Sequence, residues 1–203
     1  MGLISAGATI FDNGVLNHGK MTFIKKLTAS SSANLTFVDG ASSVVLDGTF
    51  KEYMFTFKNI HPASNNVSFQ VNFRDGSTAY DAPKIATFFD AFHQENGSDS
   101  GLRYDAGGNT FDAPGTGVQV LNYNMGAEND GNLGGYLTLV NPASTTFQKM
   151  YSSSINYQYL NTYSIKTHAD GYCNTAAAID GVQFTFSSGA IAAGDICLYG
   201  ISG

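Results

Sequence analysis

From Phe23 to Ala63 the chain reads FIKKLTASSSANLTFVDGASSVVLDGTFKEYMFTFKNIHPA: short runs of β-forming residues, cut again and again by Gly, Ser and Asp. Within the runs the period is two. In Val67 to Arg74 the odd positions are apolar and the even ones polar, which puts one face on a core and the other in water or at an interface. Tyr53, Phe55 and Phe57 alternate in the same way with Met54, Thr56 and Lys58, and Val182, Phe184 and Phe186 with Gln183, Thr185 and Ser187. Ile196 and Leu198 alternate with Cys197 and Tyr199. Weaker runs cover 23–27, 35–38, 44–46, 85–92, 118–121, 133–140, 146–155 and 163–173.

No segment of convincing length carries the helix period. Many short strands joined by turns predict an all-β domain of two packed antiparallel sheets, a β-sandwich of jelly-roll type. Asp39-Gly40, Asp47-Gly48, Asp75-Gly76, Asn96-Gly97, Asp130-Gly131 and Asp180-Gly181 are expected to supply the positive φ of tight turns. Residues 97–117 read as one long surface loop. Phe55 to Val71 and Leu137 to Met150 echo one another around Pro-Ala-Ser; a duplication would make them equivalent hairpins, whereas the simpler reading is a good turn used twice.

Residues 1–22 differ in kind. Apolar Leu3, Ile4, Ile10, Phe11, Val15 and Leu16 are spaced by Gly2, Gly7, Gly14 and Gly19, with neither helical nor strictly alternating period. They are expected to form an extended arm docked on its own domain or on a neighbouring subunit, with the sandwich occupying 23–203.

At 203 residues one large core suffices. Charged residues make up 13% against 43% hydrophobic, so hydroxyl, amide and glycine groups supply most of the polarity, a surface suited to protein contact. A formal charge of −6, with no basic cluster beyond Lys25-Lys26, excludes the footprint of a nucleic-acid binder. No apolar run reaches membrane-spanning length, no signal-peptide pattern stands at the N-terminus, and the chain is expected to be made in the cytoplasm. Cys173 and Cys197 show no metal or redox spacing and read as small apolar strand residues, unpaired.

Candidate chemistry is sparse. His18, His61, His93 and His168 stand apart, without a second ligand two or four residues away, and serine runs such as Ser152 to Ser154 lack a nucleophile elbow. Glu128 to Asn132 and Asp105 to Asn109 cluster oxygen donors without a calcium-loop spacing and read as turns. No catalytic residue, cofactor or metal is assigned. Sugar rings stack on exposed aromatics, and without tryptophan the candidates are tyrosines, Tyr104, Tyr123, Tyr151, Tyr157, Tyr159 and Tyr163, with Tyr104, Tyr123, Tyr157 and Tyr159 the four assigned as glycan-facing; interface or partial core is their simpler role.

The runs FIKKLTASSSANLTFVDG, VVLDGTFKEYMFTFKNIHPA, LVNPASTTFQK, GYCNTAAAIDGVQFTFSSG and GDICLYGI together resemble a group of virion proteins of tailed bacteriophages, abundant among phages of marine bacteria and cyanobacteria. The likeness runs from Phe23 to Ile201, and a Gly-rich segment like GLISAGATIFDNG also recurs in that group. It brings no catalytic residues. It implies a structural role at the virion surface, as a head decoration or appendage or a tail-fibre component. The expectation is therefore a non-enzymatic homo-oligomer, for example a trimer, held to capsid or tail proteins by arm residues Ile4, Ile10, Phe11, Val15 and Leu16. The alternative is a receptor-binding module for host surface glycans.

Overall fold

In a computed structural model, the described residues are 21–104, 115–159 and 162–202, with the backbone alone at 4–5, 8–9, 11–12 and 15–16. Sixteen strands and no helix are found among them. The first four are two residues long: β1 (Ile4–Ser5), β2 (Ala8–Thr9), β3 (Phe11–Asp12) and β4 (Val15–Leu16). Then come β5 (Met21–Thr28), β6 (Leu35–Val38), β7 (Glu52–Pro62), β8 (Phe69–Arg74), β9 (Lys84–Gln94) and β10 (Ser100–Tyr104). The rest are β11 (Gln119–Val120), β12 (Leu133–Val140), β13 (Lys149–Tyr159), β14 (Tyr163–Cys173), β15 (Gly181–Phe186) and β16 (Ile191–Ile201).

An eight-stranded sheet runs β10-β9-β14-β13-β12-β7-β16-β5 and a four-stranded one β11-β8-β15-β6, with every neighbouring pair antiparallel. Four pairs are nested: β5 with β16, β6 with β15, β7 with β12, β8 with β11. Between consecutive members of this set the chain steps from one sheet to the other, which is the winding of a jelly roll. Two hairpins interrupt it, β9-β10 after β8 and β13-β14 after β12; both join the larger sheet beyond β12, so that sheet is doubled in width.

Alternation dictates the core. Phe37, Phe55, Phe57, Phe69 and Phe184, each at most 3% exposed, meet between the sheets, and Phe184 lies 5.2 to 6.4 Å from the other four ring centroids. Edge-to-face geometry at three of those contacts suits the ring quadrupoles. Against the added hairpins lies the segment 115–125, which carries β11, the edge strand of the four-stranded sheet. Three hydroxyls of the larger sheet hold that segment: Tyr151 donates to Gln119 Oε1 (3.0 Å), Thr167 to the Leu121 carbonyl (2.7 Å) and Tyr157 to the Tyr123 carbonyl (2.6 Å).

Several expectations shift in detail. Residues 44–46 are not a strand: Ser42 and Ser43 take positive φ, Leu46 N–H donates to Asp39 Oδ1 (2.8 Å), and the apolar Val44 and Leu46 plug the core from a turn. Gly40, Gly76 and Gly97 have the positive φ expected of them, whereas Gly48, Gly131 and Gly181 do not. The 97–117 loop contains the edge strand β10, whose Arg103 makes two 2.8 Å bonds to buried Asp90 on β9; residues 105–114, with the Asp105 to Asn109 turn, lie outside the described residues. The Pro-Ala-Ser echo is not a duplication. After β7 the chain crosses to the other sheet, while after β12 it turns back into the same one. Cys173 and Cys197 are free and buried, on opposite faces of the sheet.

In the N-terminal segment β1 pairs with β2 and β3 with β4, apart from both sheets. The described backbone is thus two small antiparallel ladders rather than one extended run, and Asp12 opposite Val15 leaves Asn13-Gly14, a strong hairpin dipeptide, between them. Ile4, Phe11, Val15 and Leu16 belong to these ladders; Ile10 lies outside the described residues.

Candidate functional site

The face of the larger sheet turned away from the sandwich core is built by the even positions of β7 as far as Lys58, those of β14, and their cross-strand partners. Along one row Tyr104, Phe89, His168, Ser154, Tyr136 and Thr56 stand directly opposite one another in successive strands, with Phe89 and the His168 ring stacked at 5.0 Å. A second row carries Ser152, Thr138, Met54, Tyr199 and Phe23; the last two rings meet edge to face at 5.7 Å. The outermost row is almost wholly apolar. Ile85, Tyr172 and Met150 are paired on one half of the sheet, and Val140, Glu52, Ile201 and Met21 on the other. Phe147, in the β12-β13 turn beside this row, is 69% exposed.

Along the strands polarity reverses. Outward side chains of β13 run Met150, Ser152, Ser154, Asn156, Gln158, and of β14 Tyr172, Asp170, His168, Lys166, Ser164. At the polar end lies a cleft of about 330 Å³. Two acidic residues, Glu95 and Asp130, line it with Asn132, Asn156, Gln158, Ser164, Tyr163 and Tyr157. Asp130 and Asn132 flank Gly131, whose N–H donates to the Glu128 carbonyl (2.9 Å); a turn rather than a calcium loop orders this cluster. Among the described residues no group of three metal-ligating side chains converges.

The four tyrosines do not gather. Tyr104 is exposed on the edge strand and Tyr123 on the 115–125 segment, while Tyr159 packs on Tyr163 with ring centroids 6.0 Å apart, at the rim of the cleft. Tyr157 lines the cleft but is only 4% exposed: its hydroxyl donates to the Tyr123 carbonyl and accepts from the Tyr123 N–H (3.2 Å), and burial drives its ionisation far upward. Glu95, Asn156, Gln158 and Ser164 were not singled out by the sequence. They are far apart along the chain, and the hints at the cleft were the Glu128 to Asn132 cluster and the candidate tyrosines Tyr157 and Tyr163.

The inner face holds two buried ammonium groups. Lys149, Cys173 and Lys84 stand opposite one another on β13, β14 and β9, all 0% exposed. Lys149 donates to the carbonyls of Thr175 (2.6 Å), Ala177 (2.5 Å) and Ser144 (3.3 Å), and Lys84 to that of Gly117 (2.6 Å). Burial lowers Lys84 to about 8 and raises the Cys173 thiol to about 12. With three loop carbonyls on one Nζ, Lys149 acts as a clamp for the 144–177 loops rather than as a base.

No family model, curated protein or solved structure compared with the chain matches it.

Proposed function

We propose that the protein is a non-enzymatic structural component of a tailed-phage virion, a surface jelly roll joined to the particle through residues 1–22 and to its own kind through the larger sheet. The separation of the N-terminal segment from the sandwich carries this reading. β1 to β4 pair only among themselves, so among the described residues neither sheet uses this segment to complete a ladder. Residues 1–20 add no described strand to either sheet, the larger of which begins with β5 at Met21, and a segment apolar at Ile4, Ile10, Phe11, Val15 and Leu16 gains by burying those side chains against a partner, at about 25 cal/mol per Å² of apolar area less the cost of ordering. The resemblance of residues 23–201 to virion proteins and the low charge content point the same way.

Deleting residues 1–20 tests it. The truncated chain is expected to keep its thermal midpoint and to be missing from purified particles; incorporation at normal copy number would refute the anchoring role.

A second reading rests on the polar cleft. Amides, hydroxyls and carboxylates beside a tyrosine ring are the groups that recognise a neutral saccharide, and a lining that holds two carboxylates and no cation repels anionic sugars. Titration with neutral host oligosaccharides should give binding that Asn156→Ala abolishes. Equal binding of sialylated and neutral sugars, or none of either, would remove this reading.

A further inference from the structure

We propose that the outer face of the eight-stranded sheet is a self-complementary interface on which a second copy of this chain packs, sheet to sheet. Three observations bring this about.

The first is where the exposed apolar side chains are. Among the described residues, the exposed large hydrophobics other than Val118, Tyr123 and Phe147 belong to this face, with Phe23 at 56%, Met150 at 51%, Ile85 at 43%, Val140 at 41% and Leu102 at 81% exposure. They come from five strands, β5, β9, β10, β12 and β13, and half-buried Met54, Tyr172, Tyr199 and Ile201 on β7, β14 and β16 fill the register between them, so they form one continuous surface rather than scattered single residues.

The second is size. Eight strands about 4.8 Å apart and four rows of outward side chains about 6.8 Å apart cover about 34 by 20 Å, a footprint of about 700 Å², close to the roughly 800 Å² per partner of a stable interface. A flat, twisted sheet of that extent is matched by another sheet, at the ~10 Å separation of face-packed sheets.

The third is charge. The chain as a whole carries −6, which opposes self-association. The strands of this face are neutral: Lys26, Lys58 and Lys166 balance Glu52, Asp170 and Asp195, while the cleft carboxylates Glu95 and Asp130 stand in the loops after β9 and before β12. Lys26 already holds Asp195 at 3.4 Å, and Ser152 already satisfies Asp170. A second copy packed on the strands therefore meets no uncompensated charge there, whereas an acidic or basic partner would find nothing on those strands to choose it. An isologous contact of this kind closes at two subunits. It departs from the trimer that the sequence reading gave as an example.

This inference deepens the assembly role proposed above, and the two fail separately. Sedimentation of the isolated full chain reads the face; particle incorporation of the arm deletion reads the anchor. At micromolar concentration the wild-type chain is expected to sediment at twice its 21.5 kDa mass. Met150→Asp and, independently, Phe23→Asp should each give the single-chain mass with an unchanged far-UV spectrum and a cooperative melt. Two variants on different strands guard against one that does not fold. A monomeric wild type, a three-chain species, or dimers that survive both substitutions would overturn the proposal.

Discussion

A lysine with no solvent exposure is the costliest residue a β-sandwich can hold, and this one holds two in a single cross-strand line. Lys84 shows the cost through its proton. Its folded pKa of about 8 lies below the unfolded value of 10.5, so between those values the unfolded chain binds more protons and stability rises with pH. Below pH 8 both states are charged and the burial penalty is constant. Lys84→Met removes this dependence. From pH 7 to pH 9 the wild type should gain about 1 kcal/mol relative to Lys84→Met, read from urea midpoints of both proteins at the two pH values. Staying at or below pH 9 limits the contribution of Cys173, whose raised pKa acts in the opposite sense above its unfolded value of 9.0. Parallel pH curves for the two proteins would show that Lys84 is not held charged against its surroundings. Lys149, with three carbonyl acceptors, should respond differently: Lys149→Met leaves those carbonyls without a donor and is expected to cost about 2 to 4 kcal/mol by denaturant unfolding at neutral pH. Neither lysine was visible as a core residue in the sequence, because each stands at an apolar-phase position of a strand whose charge argues that the end has been reached.

Strands whose two faces differ were legible, and their partners were not. The bounds of β12 and β14 coincide with runs read from alternation alone, and Val67, Phe69, Val71 and Phe73 all face the core as their spacing requires. Residues 44–46 misled because three apolar residues in a row satisfy a buried turn as well as a strand. The nested pairing that makes the jelly roll joins β5 to β16 across most of the chain, and no local pattern encodes a ladder of that separation. What the elements do reveal is where their contacts are closest. A Cβ on Gly171 of β14 would run into the Ile85 carbonyl oxygen on β9 and stand 2.8 Å from Ala86 Cα. Gly171→Ala should therefore cost about 1 to 3 kcal/mol, in contrast to the few tenths typical of an exposed strand site. Tyr157→Phe probes the other side of the same hairpin. Loss of its hydroxyl leaves the Tyr123 carbonyl and N–H without that partner, and about 1 to 2 kcal/mol of stability should go with it, accompanied by faster proteolysis within 115–125. Unchanged cleavage there would mean that the segment is held by its apolar side chains alone.

The molecule as a whole has two unlike ends, set by the direction of its strands. Met21, which follows the N-terminal segment, stands opposite Ile201 in the apolar row, and Phe147 lies in a turn at that same end. Asn132 and the cleft lie at the start of β12, one strand length away, about 24 Å for its eight residues. If residues 1–22 fasten the protein to a particle, the apolar end must be the buried end, and the cleft must point outward. The polar end was only partly readable from the sequence, since its groups arrive from the loop after β9, the loop before β12 and the adjoining ends of β13 and β14; the apolar end was hidden because Met, Tyr, Val and Ile on an outward face look like weak alternation. Single cysteines make the orientation measurable, because native Cys173 and Cys197 are 0% and 4% exposed and should stay silent toward a maleimide in the folded chain. In the free protein Asn132→Cys should label readily. In intact particles Asn132→Cys should remain fully reactive while Phe147→Cys is protected at least tenfold. Equal labelling of both positions in particles would mean that the protein does not stand on its apolar end, and the anchoring role of the segment that leads into Met21 would fall with it.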